Sequence, residues 1–313
     1  MRYYIGVDLG GTNLRTIKID KTGEIYAHHK VRSEAKAGPE PLIQQIARQI
    51  EETISETPRQ EIAGVGIGVP GPADPILGIV YQAVALTGWI DIPLQARLQE
   101  LIKLPVQVGN DANVAAVGEW QFGAGRGCQH FVYVTVSTGI GGGVIADGRL
   151  LLGRKGMAAE VGHVIVDPKG PRCSCGDDGC WEAHASGTSF GRTANAALAS
   201  APTSQLHQLA QAGPLTGKEV IAAAQQGDPL ALRLVEEEGR WLGIGMRNLL
   251  HLYSPERIAV GGGLSNALPL FLPYIESTIR VRAMLPYRDV PVVAAALGDN
   301  AGLIGAAALL MTR

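Results

Sequence analysis

At 313 residues the chain exceeds a typical single domain, so length favours two domains or one large α/β domain. Its 46% hydrophobic and 18% charged residues can bury enough apolar surface to offset ordering entropy, which excludes extended disorder. Lys and Arg number 27 against 29 Asp and Glu, and the formal charge of -2 supplies no cationic field for sequence-independent nucleic-acid binding.

The opening MRYYIGVDLGG has neither an apolar signal core nor a small-residue cleavage site. Apolar runs elsewhere, such as AGLIGAAALLM, fall short of the roughly 20 residues that cross a bilayer. A cytoplasmic protein without a membrane partner is expected. Residues 3–9, 14–20 and 24–32 read as an antiparallel meander, with Asp20–Gly23 turning between the last two strands. Over residues 40–56 the positions Leu42, Ile43, Ile46, Ile50 and Ile54 recur at helical spacing, with Pro39 and Pro41 at the entry and Pro58 beyond the end. The buried strand AGVGIGV follows, then a helix over 91–103, the strand PVQVGN, and a helix starting just after Asn110.

The same order restarts at Phe131 with FVYVTVS, a glycine turn, GGVIA, the turn DGR and LLLG. Two halves of this kind imply a duplicated domain with a cleft between the copies. Residues 189–253 read as largely helical, with Glu236–Glu238 on a solvated face. The strand RIAVGG, a helix over 267–283, the strand VPVVAAA and a final helix from about Gly298 complete the chain.

The 41 glycines cluster after apolar runs, in DLGGT, GVGIGVPGP, STGIGGG and VGGGLS. Glycine permits positive φ and leaves backbone N–H groups open to a ligand, so strands followed by glycine turns suit phosphate binding. Four such turns point to a nucleotide. Asp8, at the end of the first strand, can hold a water-coordinated magnesium ion against phosphates, or it can cap a β-turn through Gly10 and Gly11. Three of the four cysteines, Cys173, Cys175 and Cys180, crowd into CSCGDDGC, which in a reducing compartment suggests metal rather than disulfides. Cys128 stands apart and reads as a small buried hydrophobe.

DLGGT, NDAN at Asn110–Asn113, STGIGGG, EVGH at Glu160–His163 and CSCGDDGCWE, taken together, resemble the ROK family of sugar kinases, repressors and uncharacterised open reading frames. The resemblance covers essentially the whole chain. It implies an α/β actin-like, hexokinase-like ATPase fold of two ribonuclease-H-like domains with a cleft between them, in agreement with the duplicated meander. Residues 1–110 plus 298–313 would form a smaller N-terminal domain, and 111–297 a larger domain carrying a zinc-bound sugar-site loop.

The resemblance also implies roles. Asp111 becomes the general base, although the same spacing suits capping of the next helix by Asn110, Asp111 or Asn113. Asn110, Glu160, His163 and Glu182 fall on sugar hydroxyls. His163 with Cys173, Cys175 and Cys180 supplies one imidazole and three thiolates, a full set for tetrahedral structural zinc, with a redox thiol cluster as the rival reading. Asp8, Gly10, Gly11 and Thr12, with Thr138, Gly139 and Gly141, address phosphates and metal. Gly261, Gly262 and Gly263 form the turn that meets the adenosine half of the nucleotide, unless that turn is simply a strand-to-helix connection. Val84 and Ala85 stand where the family stretch usually has Pro and Asn, and that Asn helps to read a sugar hydroxyl.

The expected activity is magnesium- and ATP-dependent phosphorylation of a hexose, with D-glucose first. Mannose, N-acetylglucosamine and N-acetylmannosamine are the alternatives within the class. A sugar-sensing repressor is the rival outside it, disfavoured because the DLGGT strand begins at once with no helix-turn-helix ahead of it. A homodimer built through the larger domain is expected.

Overall fold

The computed structural model describes residues 1–311. The first part of the chain runs β1 (Tyr3–Leu9), β2 (Asn13–Ile19), β3 (Ile25–Arg32), α1 (Pro39–Ile54) and β4 (Ile62–Val69). It continues through β5 (Ala73–Asp74), β6 (Ile79–Gln82), β7 (Ile90–Ile92), α2 (Leu94–Ile102), β8 (Val106–Asn110) and α3 (Asp111–Phe122). The rest runs β9 (Phe131–Val136), β10 (Ile140–Ala146), β11 (Arg149–Leu150), α4 (Trp181–Ala185), α5 (Gly187–Ala197), α6 (Leu206–Leu209) and α7 (Gly217–Gln225). Last come α8 (Pro229–Tyr253), β12 (Arg257–Gly261), α9 (Leu268–Arg282), β13 (Val292–Ala294) and α10 (Ala301–Ala308).

Two five-stranded sheets have the orders β3-β2-β1-β4-β8 and β11-β10-β9-β12-β13. Strand for strand these orders correspond, which is the duplication expected from the two meanders. In the first sheet β1, β2 and β3 are antiparallel neighbours, while β4 lies parallel to β1 and β8 parallel to β4. In the second, β12 lies parallel to both β9 and β13. The Asp20–Gly23 turn closes as expected: Asp20 Oδ1 accepts the Thr22 N–H at 2.8 Å and Gly23 takes φ 88°.

By compactness the chain forms two units. The first holds Met1–Gln129, Gly143–Ala159 and the stretch from Ala296; the second holds His130–Gly142 and Glu160–Ala295. These divisions fall elsewhere than 110/111 and 297/298, and the expected 298–313 span also reaches Thr312 and Arg313, outside the described residues. The physical reason lies in α3. It packs on α10 so closely that a Cβ at Gly118 would stand 2.6 Å from the Ala301 carbonyl oxygen, and one at Gly305 would collide with that of Val114. Asp111–Gln129 is thereby tied to the first unit.

In the first unit, α1 and α2 bury Leu42, Ile46, Ile50 and Leu98 against Ile5, Val7, Ile67 and Val108 of the sheet. On α10, Leu303, Ile304 and Ala307 pack with Ile17 and Ile19 of β2. The apolar periodicity of α1 reads correctly, since all five marked positions are buried. Gly6 and Gly66 allow α10 to approach, because a Cβ there would collide with the carbonyl oxygens of Leu303 and Ala306. Gly66→Ala is therefore expected to lower the unfolding free energy by about 1–3 kcal/mol or more, read as a lower urea midpoint, because the obstacle is backbone and cannot rotate away. An unchanged midpoint would contradict this packing.

Three elements differ from expectation. Residues 73–92 form a small antiparallel sheet, β5-β6-β7, that periodicity does not reveal. LLLG contributes only Leu150 to a strand. Glu238 does not share the solvated face of Glu236 and Glu237: it is 3% exposed on α8, and burial pushes its carboxyl well above the ordinary range. Among the described residues no helix is long and apolar enough to cross a membrane.

Candidate functional site

In the first unit β8 ends on Asn110, which holds φ -63° and ψ 143°. Its Oδ1 accepts the N–H groups of Ala112 at 3.0 Å and Asn113 at 3.2 Å, and its Nδ2 donates to the Gly71 carbonyl oxygen at 3.2 Å. Asn110 is therefore the residue that caps α3. Asp111, the first helical residue, is exposed, and its Oδ1 accepts the Ala112 N–H at 2.8 Å. The positive end of the helix dipole stabilises a carboxylate there. Asn113 is buried at 5% exposure.

Asp8 lies opposite Arg15 across β1 and β2, and its Oδ2 accepts from the Arg15 Nε at 2.9 Å. Nη1 of the same arginine donates to the Asp299 carbonyl oxygen at 2.9 Å. Asp8 is thus held by a guanidinium and does not cap the adjoining turn, which closes through the Gly10 N–H on the Asn13 carbonyl oxygen at 2.9 Å. Gly11 and Thr12 are exposed. Neither Gly10 nor Gly11 uses positive φ. What requires glycine at Gly11 is close approach, for a Cβ there would sit 3.1 Å from the Ala85 carbonyl oxygen and 3.2 Å from its Cβ. The DLGGT turn and the atypical Ala85 are therefore neighbours.

The second unit gathers a different set. Ser137–Gly139 turns back on itself through the Ser137 N–H on the Gly139 carbonyl oxygen at 2.9 Å, and the Gly187 N–H binds the Ser137 carbonyl oxygen at 2.7 Å. Glu182 on α4 accepts the Ile140 N–H through Oε2 at 2.8 Å and the Ser174 hydroxyl through Oε1 at 3.1 Å. A side chain at Gly139 would displace that carboxylate. Glu160 and His163 are exposed; Glu160 precedes a single 3₁₀ turn that His163 ends, with the His163 N–H on the Glu160 carbonyl oxygen at 3.1 Å.

The donor atoms of His163, Cys173, Cys175 and Cys180 all lie within 4.8 Å of one another. Cys175 Sγ is 3.7 Å from Cys180 Sγ, and Cys173 Sγ is 3.7 Å from His163 Nδ1. Sulfurs about 2.3 Å from a tetrahedral zinc ion stand about 3.8 Å apart, so the set fits structural zinc with all four positions filled by protein. Burial and the neighbouring thiols push the Cys180 thiol up to about 12, whereas the backbone of Asp177 and the Cys173 thiol hold Cys175 below its ordinary value. The backbone folds around the donors at Gly176 (φ 100°) and Gly179 (φ 74°).

Two cavities adjoin this turn. One of about 590 Å³ is lined by Thr138, Thr188, Thr216, Lys218, Gly263 and Asn266, among others. The other, about 430 Å³, shares Thr138 and Thr188 and adds Gly139, Arg172, Ser174, Glu182 and Arg192. Of the late glycine turn only Gly263 lines the larger cavity. Gly261 and Gly262 serve packing instead: a Cβ at Gly261 would collide with the Tyr133 hydroxyl, and Gly262, at φ 81°, lies against the Val136 carbonyl oxygen. Gly141, within β10, lines neither cavity.

The ROK family profile matches residues 4–313. The chain belongs to the ROK family. It is 37% identical over 309 residues to a glucokinase of Halalkalibacterium halodurans, covering 97% of this chain and 93% of that protein. A xylose repressor of Bacillus subtilis is 31% identical over 315 residues, 99% of this chain and 77% of the repressor. The crystal structure of a ROK family glucokinase from Streptomyces griseus, in complex with glucose and AMPPNP, superposes with a TM-score of 0.81 at 36% identity over 99% of this chain and 100% of that one. The fold is that of the ROK hexokinases, an actin-like ATPase.

Sequence reasoning passed over Arg15, Ser174, Thr188, Lys218 and Asn266. One signal was readable: Thr216-Gly-Lys-Glu219 is a capping box, and both of its hydrogen bonds form at the start of α7.

Proposed function

We propose that the chain is an ATP-dependent hexose kinase whose first substrate is D-glucose, phosphorylated at the 6-hydroxyl. The observation that carries this reading is Asp111. Because Asn110 supplies the cap, the exposed carboxylate beside it is not needed to start the helix and suits a general base. The likeness to glucokinases along the whole chain supports the same reading.

In the reaction Asp111 takes the proton of the 6-hydroxyl as that oxygen bonds to the terminal phosphorus, and the bridging P–O bond breaks with its electron pair leaving on ADP. Asn110, Glu160, His163 and Glu182 orient the ring. Thr138, Gly139 and the Gly10–Thr12 turn, exposed at Gly11 and Thr12, address phosphates, and the 590 Å³ cavity ending on Gly263 takes the nucleoside. Magnesium, when bound with the nucleotide, neutralises phosphate charge; Asp8, already paired with Arg15, suits a contact through water better than direct ligation. Zinc, held by His163 and the three cysteines, acts by shaping the loop that precedes Glu182. The enzyme is proposed to be a cytoplasmic homodimer, as the family resemblance implies.

Ala85 favours one second reading. It places a methyl group against Gly11 where the family usually has an amide reader, so a hexose with an epimeric or acetylated 2-substituent has fewer polar demands to meet. Initial rates of ADP release with D-glucose, mannose, N-acetylglucosamine and N-acetylmannosamine decide between them. Glucose is expected to give the highest kcat/KM. If it gives the lowest, the glucose assignment is lost, and if no sugar stimulates ADP release, the kinase assignment goes with it.

A further inference from the structure

Glu119, near the end of α3, is fully buried and takes no part in the proposed chemistry. Three backbone N–H groups converge on its carboxyl group: Ala124 and Ala296 donate to Oε2 at 2.8 and 3.0 Å, and Leu297 donates to Oε1 at 2.7 Å. An acceptor buried this deeply is costly unless donors answer it, and here they do. Ala296 is exposed and is where the chain re-enters the first unit. A returning surface segment is thus fastened to α3 by both oxygens of one buried side chain.

Attachment of α10 is secured without this clamp, because Gly118 and Gly305 already let α3 and α10 pack backbone against backbone. What the carboxyl group adds is the course of the 296–299 turn. Two residues beyond Leu297, the Asp299 carbonyl oxygen accepts from Arg15 Nη1 at 2.9 Å, and the Nε of that arginine donates to Asp8 at 2.9 Å. Asp8 also lies against the first turn of α10, where a Cβ at Gly302 would stand 3.7 Å from its Oδ1. Asp111 stands at the other end of α3, eight residues from Glu119 and so about 12 Å along the axis.

We propose that Glu119 is a positioning residue for phosphoryl transfer: by fastening the Ala296–Leu297 segment to α3, it holds Asp111 and Asp8 at a fixed separation. All of these residues belong to the first unit, so the alignment is set within one compact body. This role rests on Asp111 acting as the general base. A misplacement of roughly 1 Å, caused far from the chemistry, can cost about 10² in rate. Glu160, His163, Glu182 and the cavity proposed for the nucleotide belong to the second unit, so binding does not share the loss.

The test compares wild type, Glu119→Gln, Asp111→Asn and the double variant as full chains, with ATP and the hexose of highest kcat/KM. Glutamine keeps the shape of the side chain but offers one acceptor oxygen and turns an NH₂ group toward backbone donors. Glu119→Gln is expected to lower kcat about 10- to 100-fold, with KM for sugar and ATP within about threefold of wild type. In the Asp111→Asn background the same change is expected to cost less than about threefold, because no base remains to be misplaced. Equal losses in the two backgrounds overturn the proposal, as does a Glu119→Gln kcat within about threefold of wild type, or a rise of both KM values in step with the fall in kcat. An unimpaired Asp111→Asn variant removes the base and this role with it, whereas an impaired one beside an unimpaired Glu119→Gln removes the role alone. Near-UV circular dichroism reports the fold, and Glu119→Asp, which keeps both oxygens but draws them back by one carbon, replaces a glutamine variant that does not fold. Hydrogen exchange of the wild type needs no variant: the amides of Ala296 and Leu297 are expected to exchange slowly although Ala296 is exposed, and fast exchange at both overturns the clamp.

Discussion

Asp111→Asn is expected to lower kcat by about 10²- to 10⁴-fold while the variant remains folded and still binds sugar. The size follows from the loose transition state of phosphoryl transfer, in which the protein mainly aligns the nucleophile and accepts its proton. Positioning and charge neutralisation survive the substitution, so some turnover remains. The structure separates this loss from a structural one. Asn110, not Asp111, caps α3, and an amide at position 111 keeps the shape of the carboxylate. Asn110→Ala removes the acceptor for two backbone N–H groups and the donor to Gly71, so it is expected to cost about 1 kcal/mol of stability. Steady-state kinetics with calorimetric sugar binding and urea denaturation distinguish the two. An Asp111→Asn variant within a few-fold of wild-type kcat would remove Asp111 as the base.

The fold was legible because its repeated unit is written in local terms. Apolar runs followed by glycine turns mark β1 and β9, the DKTG turn closes β2 onto β3, and two meanders give sheets of corresponding order. The metal-ligand cluster was legible for a similar reason: three cysteines within eight residues and one nearby histidine leave few ways to arrange their donors. What could not be read depends on register and on distance along the chain. Arg15 meets Asp8 only because β1 and β2 pair as they do. Glycine at 139 answers to Glu182, and glycine at 261 to Tyr133, contacts that no local pattern encodes. Position in NDAN alone does not say which residue caps, since Asn110, Asp111 and Asn113 are all competent; the extended ψ at Asn110 decides it. The β5-β6-β7 sheet escaped because its strands span only two to four residues, too short for an alternation to register.

Removing the metal is expected to weaken sugar binding and thermal stability together. Cys180→Ser takes one thiolate from the set of four, and chelation of the wild-type chain should produce the same pair of losses. Structural zinc contributes an apparent roughly 10–16 kcal/mol in small zinc-binding peptides, far more than the packing of an exposed loop can replace. Between His163 and Cys180 regular pairing is limited to two isolated bridges, Ile165 with Cys180 and Arg172 with Asp178, and Ser174, Cys175, Asp177 and Asp178 are exposed. Without a cation joining its four donors, the segment is left with short-range backbone hydrogen bonds such as the Cys173 N–H on the Asp177 carbonyl oxygen at 2.8 Å and the Val166 N–H on that of Gly179 at 2.9 Å. The consequence reaches the residues proposed to hold the sugar by two routes. His163 is itself one of the donors, and Glu182 follows Cys180 by two residues and takes the Ser174 hydroxyl from inside the loop. The cavity of Thr188, Thr216, Lys218 and Asn266 proposed for the nucleotide draws none of its lining from the loop. KM for sugar should therefore rise well above its wild-type value while KM for ATP changes little, and elemental analysis should find one zinc ion per wild-type chain. A metal-free sample that binds sugar at full affinity would show that the cluster does not brace the site, and equal losses for sugar and ATP would mean that its removal unfolds the whole second unit.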